Sequence, residues 1–553
     1  MLAPLRQNPT RGFRHYYRHT FEAVISGDST LDVQLEAAIL NFLRDRDPDR
    51  QLDIIGGLER ELVVALALIR PVARHFADGN YTEAITEAER LRADQPELLN
   101  AAGPATRAVL DVWESYARTY RSHDNDHTIA LSLLNAAITT VRTILERNDT
   151  VGVLTPARRW RTTGTLALAY QVRGYLHRVT GYPKAAADDY TAAIPYWREL
   201  RVNVNLATTL NDLGFARAEQ GYTDDARALV LEALEIRRSL GARVVVGFSL
   251  NTLALVDIYS EKYSQAVERS EQALSLFRAL RHERGIILAL IARAEATRRS
   301  SSTTYSMSSN DQAQLLQRAA RDAREARDLA QKELERRVRA LIEIGCATRD
   351  LVRLRERAPQ LRENWQRLAD ESRSALDAAA ALAAQIGLSY RVVDARVNKA
   401  HLEYYLGDLT VAAEAAEAAL NSFPEGYIVD RATGKSLIDA RESHGQIWSQ
   451  LGKLYVLYGL IAFQRYLQAN DPLSKDKLLA EIVDYFFFSL ECNLRYSPAY
   501  PGLTQSRNQI HGSLKLLPAD ALQKLESLIA GVEQRLGREQ SELRRMLRSR
   551  ALL

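Results

Sequence analysis

Cysteine is almost missing from this chain of 553 residues: Cys346 and Cys492 are the only two. Two thiols cannot build a disulfide framework, and their scarcity fits a reducing, cytoplasmic setting. Long apolar runs are missing too: none reaches the ~18 residues of a membrane span. The longest, near Leu454–Phe463, has the length of a core helix. An excess of one charge is also lacking, since 73 basic residues face 69 acidic ones for a net charge of +4. So even a balance on so long a chain argues against nucleic acid as a partner. Lysine is scarce, ten residues against 63 arginines, a skew that a GC-rich genome produces without functional cause. Strand patterning is nearly absent. With 46% hydrophobic and 26% charged residues, the composition is that of a folded chain and excludes a disordered one.

What is present is a repeat. Ala186, Ala226 and Ala266 lie 40 residues apart, and Ala193, Ala233 and Ala273 form a second such series seven residues further on. Gly174, Gly214 and Ala254 keep the same interval, as do Gly181, Gly221 and Glu261. A spacing of seven puts both alanines on one face of a helix, two turns apart. The small residue upstream lets a preceding helix approach that face, and the glycine between them marks a tight turn. Each unit is therefore predicted to be a helix, a turn and a second helix, able to bury its apolar face only against its neighbours. The fold class is all-α, an α-solenoid.

The segment Thr209-Leu210-Asn211-Asp212-Leu213-Gly214-Phe215-Ala216, followed by Gly221, Tyr222, Ala226 and Ala233-Leu234-Glu235-Ile236-Arg237, resembles a tetratricopeptide repeat (TPR). The family's basic unit is about 34 residues long. The longer interval here is similar to the extended repeats of kinesin light chains and of the sensor arms in bacterial STAND-type regulators. Ala400, Gly407, Ala412, Ala419, Leu420 and Pro424 resemble a further unit, and Gly79, Tyr81, Ala84, Ala88, Leu91 and Pro96 another. Ala130 with Ala137 and Ala319 with Ala326 match in part. The resemblance implies at least six helix-turn-helix units wound into a right-handed superhelix with helical caps.

The expected organisation is an N-terminal helical cap (1–60), degenerate repeats (61–150), clear 40-residue repeats (151–299), a polar insertion loop (300–314), further repeats (315–425), and a C-terminal helical cap or partner-contact region (436–553). Terminal units of a solenoid need covering. The C-terminal aromatics Tyr455, Tyr458, Phe463, Tyr466 and Phe486–Phe488 are expected to be mainly buried in that role.

Several patterns imitate catalytic or metal motifs. Thr433-Gly434-Lys435-Ser436 looks like the end of a phosphate-binding loop, but Val429 stands where that loop needs glycine. His444 and Cys492 have the separation of a caspase-like pair, yet Cys492 sits in a helical pattern beside Phe486–Phe488, where a packed thiol is inert. His15 with His19, and His123 with His127, are four residues apart, but neither pair carries the glutamate or cysteines of a zinc site. Arg11, Arg14 and Arg18 oppose a cation at the first pair, and the second reads as a polar turn. His15-Tyr16-Tyr17 and Tyr404-Tyr405 read as core or groove-wall aromatics. The dense basic stretch Arg336, Arg337, Arg339, Arg353, Arg355, Arg357 and Arg362 is interleaved with acids and reads as a solvated, salt-bridged helix pair. No catalytic residue, cofactor or metal site is assigned.

In the family this chain resembles, the first helix of each repeat lines the concave surface and grips an extended peptide or a partner helix. The resemblance places Gln171, Tyr175 and Arg178 on that surface, then Thr208, Asn211 and Phe215, then Phe248, Asn251 and Leu255. Asn211 and Asn251 occupy equivalent positions, and a carboxamide both donates and accepts, so it can pair with any peptide backbone. The expectation is a non-catalytic scaffold or sensor for a protein or peptide partner, such as a regulatory subunit of a bacterial signalling or defence assembly. The alternatives are the ligand-sensing arm of a STAND-like transcriptional regulator and an enzyme with its chemistry in the non-repeat ends.

Overall fold

The protein is described here by a computed structural model covering residues 60–123, 125–151, 156–303, 307–423, 445–496, 510, 513 and 517–536. The pairs at His15/His19 and Tyr16-Tyr17, the segment Thr433–Ser436, and His444 lie outside the described residues. So does nearly all of the expected N-terminal cap.

Every regular element among the described residues is helical. In chain order these are α1 (Arg60–Ala77), α2 (Tyr81–Asp94), α3 (Pro96–Ala101), α4 (Gly103–Arg121), α5 (Asp126–Val151), α6 (Pro156–Val179) and α7 (Pro183–Glu199). The repeats continue as α8 (Asn203–Glu219), α9 (Thr223–Ser239), α10 (Arg243–Tyr259), α11 (Tyr263–Ala279), α12 (Glu283–Thr303) and α13 (Ser309–Leu329). Then come α14 (Leu334–Arg353), a 3-10 turn (Pro359–Leu361), α15 (Trp365–Gln385), α16 (Ser389–Leu406), α17 (Leu409–Leu420), α18 (Gly445–Gln468), α19 (Pro472–Tyr496) and α20 (Ala519–Leu536). Sequence neighbours pack as antiparallel pairs, and the first helices of successive pairs also touch, as in α8 against α10. This is an α-solenoid.

The middle of the solenoid is more regular than its sequence suggests. Helices α7 to α11 are each 17 residues long. The joints place one left-handed residue every 20 positions: Gly181, Arg201, Gly221, Gly241, Glu261 and Arg281, with φ between 52° and 93°. At each joint the next N–H reaches back five residues, as from Tyr182 to the His177 carbonyl (2.7 Å) and from His282 to the Phe277 carbonyl (2.9 Å). The left-handed residue itself bonds three back, as from Gly181 to Arg178 (3.1 Å). This double bond closes the orphan carbonyls of the helix end. The residue that completes it also begins the next helix, so the chain reverses within three residues.

Within a pair, the close approach is set by matched volumes. A side chain at Gly174 would meet the Tyr190 ring at 2.8 Å, and one at Gly214 would meet Val230 Cγ2 at 2.4 Å. The third repeat carries Ala254 and Ser270 at these places, both fully buried. Where the floor of the contact gains a methyl, the opposing side chain shrinks. The repeat alanines Ala186, Ala226, Ala266, Ala193, Ala233 and Ala273 are buried, as are Ala130, Ala137, Ala319 and Ala326 in the weaker units.

The polar stretch expected to loop out over 300–314 is largely helical. Helix α12 runs on to Thr303 and α13 begins at Ser309, so both reach 21 residues. The Ser308 hydroxyl caps α13 by accepting from the Asp311 N–H (3.1 Å). One described helix, Asp126–Asn148, is apolar and long enough to cross a membrane by length and composition. Its buried stripe of Ala130, Leu134, Ala137, Ile138 and Val141 packs within the repeat stack. At the C-terminal end α18 lays Leu451, Leu454, Tyr455, Tyr458 and Ile461 onto the cluster that contains Ala412, Ala416, Ala419 and Leu420 of α17. Phe463 and Phe486 are buried, whereas Tyr466, Phe487 and Phe488 are half-buried. Cys492 is buried in α19, and Cys346 in α14 is pushed up to about 11 by burial.

Candidate functional site

The inner surface of α6, α8 and α10 divides the expected groove residues into two kinds. Some are spent on the fold. Gln171 is buried, and its carbonyl accepts from the Thr209 hydroxyl (3.0 Å), tying α6 to α8. The Thr208 hydroxyl donates to the Val204 carbonyl (3.1 Å) and accepts from Arg237 (3.4 Å). Leu255 is buried with Ile258, Tyr263 and Ala266, and Phe215 packs against that cluster. Phe248 leans on Phe277 and His282, with ring centres 5.1 and 5.4 Å away.

The others have chemistry to spare. Asn211 and Asn251 are each 5% exposed, and neither side-chain oxygen has a hydrogen-bond partner. The Asn211 amide donates only to the neighbouring Asp212 carboxylate (3.3 Å). Arg178 lies over the rings of Tyr175 (5.1 Å) and Phe215 (4.7 Å), and its Nε is also unpartnered. Unsatisfied buried acceptors are rare in folded proteins and costly to maintain. Two of them one repeat apart form a specific feature.

The groove is not an open trough. Tyr175 stacks on Tyr120 of α4 (5.0 Å), and the face of Tyr120 is covered by the Arg284 guanidinium, 4.2 Å from the ring centre. Arg284 belongs to the first turn of α12, four repeats beyond α4. Tyr390, at the start of α16, lies against Gly181, where a side chain would meet its ring at 3.0 Å. The N-terminal ends of later inner helices thus meet the C-terminal ends of earlier ones, enclosing a lumen. Arg336 of α14 faces Tyr175, Tyr120 and Tyr81 across it, and burial, followed by the Arg284 charge, pushes its guanidinium down to about 10. Its position, 7% exposed, corrects the expectation of a solvated basic face around Arg336. The acids of the lumen are also perturbed. Burial raises Glu219 to about 7 against the opposing pull of Arg178, Arg391 and Arg339, and raises Asp212 against Arg178 and Arg237. Burial likewise holds the Tyr175 hydroxyl neutral, up to about 12.

Further along the same inner line many polar groups are paired, although Thr297 Oγ1, Arg336 Nε, Arg391 Nε and Ser449 Oγ are not. Arg298 forks onto Glu343 (2.9 and 3.0 Å), Arg349 grips Asp350 and Asn398, and Asn398 donates to Asp394 (2.9 Å). His401 donates from Nε2 to the Lys453 carbonyl (3.2 Å) and, buried beside Arg349, falls to about 3. This network joins α12, α14, α16 and α18. The polar turn at His123–His127 is similarly committed: Asp126 is held by Arg118 (3.0 Å) and Arg121 (2.7 Å). Among the described residues no group of three or more His, Cys, Asp or Glu is placed to hold a metal ion.

Of the residues expected from sequence, Tyr175 and Arg178 lie together and Asn211 and Asn251 keep unpaired oxygens, while Tyr120, Arg284 and Tyr390 were not expected beside them. No periodic signal marks them, because they meet across the superhelix. Only the run containing Arg336 hinted at that face.

Comparison with known proteins matches residues 205–279 to the tetratricopeptide repeat family. No curated protein matches the chain. Among solved structures, a Rap protein complexed with Competence and Sporulation Factor aligns at 14% identity and TM-score 0.43, over 78% of this chain and 98% of that one. The human IFIT1 dimer with PPP-AAAA aligns at 13% identity and TM-score 0.42, over 91% and 92%. BtubC from P. vanneervenii aligns at 18% identity and TM-score 0.30, over 48% and 91%. At these values no ligand or partner is transferable. The family match spans two of the regular repeats, whose helix pairs, joints and buried alanines recur on either side of it. The chain is an α-solenoid of helix pairs that carries tetratricopeptide repeats over residues 205–279.

Proposed function

We propose that the protein is a non-catalytic scaffold or sensor that binds a short peptide segment of a protein partner on the inner surface of α6, α8 and α10. One observation carries this reading: Asn211 and Asn251, each 5% exposed, hold unpaired carboxamide oxygens at equivalent positions of successive repeats. An extended backbone supplies N–H donors that such oxygens accept. The enclosure of the lumen by Arg284 over Tyr120 favours a narrow strand over a folded domain. A regulatory place in a signalling or defence assembly, in the manner of the sensor arms its repeats resemble, belongs to the same proposal.

The test begins with partner capture from the native host and reduction of the captured protein to its binding segment. Asn211→Ala and Asn251→Ala should each weaken binding of that segment by about 1–3 kcal/mol while the helical spectrum and melting temperature persist. Unchanged affinity in both variants would remove the inner surface as the working face.

A further inference from the structure

Arg284 and Arg336, from the first turns of α12 and α14, converge on the aromatic wall formed by Tyr81, Tyr120 and Tyr175. Arg336 is buried and Arg284 is half-buried, and two like charges this close need something to hold them. Glu333 reaches both, touching Arg336 and lying 4.0 Å from Arg284, and so bridges the two cations. Arg336 is 7% exposed and its Nε has no hydrogen-bond partner. Arg178 lies on the far face of the same wall, over Tyr175. Its own Nε is unpartnered too.

We propose that Arg284 and Arg336 form a binding site for a small, multiply charged oxyanion, phosphate or carboxylate, inside the lumen beside the Tyr120–Tyr175 stack. A guanidinium presents its N–H groups in a planar fork, which fits two oxygens of one phosphoryl or carboxylate group. The Arg284 fork is already oriented by the ring it covers, so little side-chain freedom is lost on binding. The unpartnered Arg336 Nε–H supplies a donor that needs an acceptor. A neutral ligand satisfies the hydrogen bond but leaves the repulsion; an anion resolves both. Such an anion also sits where α4 and α6 meet α12 and α14, so its binding braces the closed form of the superhelix. The site lies apart from Asn211 and Asn251 in chemistry and can be tested without a partner.

Isothermal titration of the full chain with inorganic pyrophosphate and with citrate, at constant ionic strength in chloride buffer, reads the site directly. Saturable binding of at least one anion is expected. It should weaken at least tenfold in Arg336→Gln and in Arg284→Gln and remain unchanged in Arg198→Gln, an exposed arginine paired with Glu232 on α9. A response to pyrophosphate alone assigns a phosphoryl ligand, and a response to citrate alone a carboxylate. Should Arg336→Gln fail to fold by circular dichroism, Arg336→Lys retains the charge, loses the fork, and should still bind more weakly. The double variant Asn211→Ala, Asn251→Ala should bind the anion normally, which separates this site from the peptide reading. Absence of saturable binding by either anion, or equal affinity in wild type and the Arg336 variants, overturns the proposal.

Discussion

Replacing Gly214 with alanine should destabilise the protein, although alanine is the better helix former. Position 214 lies inside α8, where glycine costs about 1 kcal/mol relative to alanine. The substitution regains that amount. Against it, the new methyl would stand 2.4 Å from Val230 Cγ2 and 2.9 Å from the Ala226 carbonyl oxygen of α9. One of these neighbours is backbone and cannot rotate away. Overpacking of this kind costs about 1–3 kcal/mol, and a collision with backbone belongs near the upper end. The net loss is then about 2 kcal/mol. Val230→Ala alone removes two buried methyls and should cost about 2 kcal/mol. In the double variant the methyl at 214 occupies space vacated at 230, so the total should be about 2 kcal/mol rather than 4. The corresponding coupling of about 2 kcal/mol is readable by a double-mutant cycle from urea unfolding followed by circular dichroism. Ala254 with Ser270, one repeat later, is the natural version of that double variant. A stabilising Gly214→Ala, or additive losses within about 0.5 kcal/mol, would show that volume matching does not set the spacing of the pair.

Three further outcomes are expected. Arg201, Glu261 and Arg281 hold positive φ where Gly181, Gly221 and Gly241 stand at the other joints, so each change to glycine should stabilise by about 0.5–1 kcal/mol in thermal melts. Glu219 is raised from 4.5 to about 7, so the folded state holds the extra proton. Its contribution is full below about pH 4.5 and is lost as pH rises through 7. Glu219→Gln should therefore be the more stable form at about pH 8, by about 3 kcal/mol, and melting at paired pH values checks it. His282 and His401, lowered to about 4 and about 3 mainly by burial, act in the opposite sense and lose stability as pH falls below 6.5. Finally, ending the chain after Phe423 uncovers Leu420, Ala416 and their cluster on α17. The fragment should aggregate or melt early, and a monodisperse fragment of unchanged melting temperature would refute a capping role for α18.

The alanine series were legible because burial at close helix contacts tolerates only small side chains, and every member is buried. The joints were half legible. Glycine betrayed Gly181 and Gly221, but Arg201 and Arg281 carry no conformational marker in their identity, and Gly241 alone does not make a series. The hydrophobic residues just before them, Leu200, Leu240 and Leu280, recur at the interval that would have exposed the second set. The equivalence of Asn211 and Asn251 was legible in the sequence, and in the fold both keep unpaired side-chain oxygens. Gln171 misled because a polar residue on an inner helix serves the neighbouring repeat as readily as a ligand. Arg336 misled for a different reason. Charge interleaving along one helix says whether neighbours can pair, but not whether a distant turn of the superhelix covers the residue.

That covering has a consequence for how the chain gains and loses its structure. A stack whose units met only in sequence order would fray from either end, one helix pair at a time. Here Arg284 rests on Tyr120 and Tyr390 on the joint at Gly181, so the central units are clasped to one another. The clasp can form only after the intervening pairs have folded and curved, which makes it a late, long-range closure that slows folding. Once shut, it obliges those pairs to open together. The middle of the protein then behaves as one cooperative unit, while the segments beyond the clasp keep the independent opening of a simple stack.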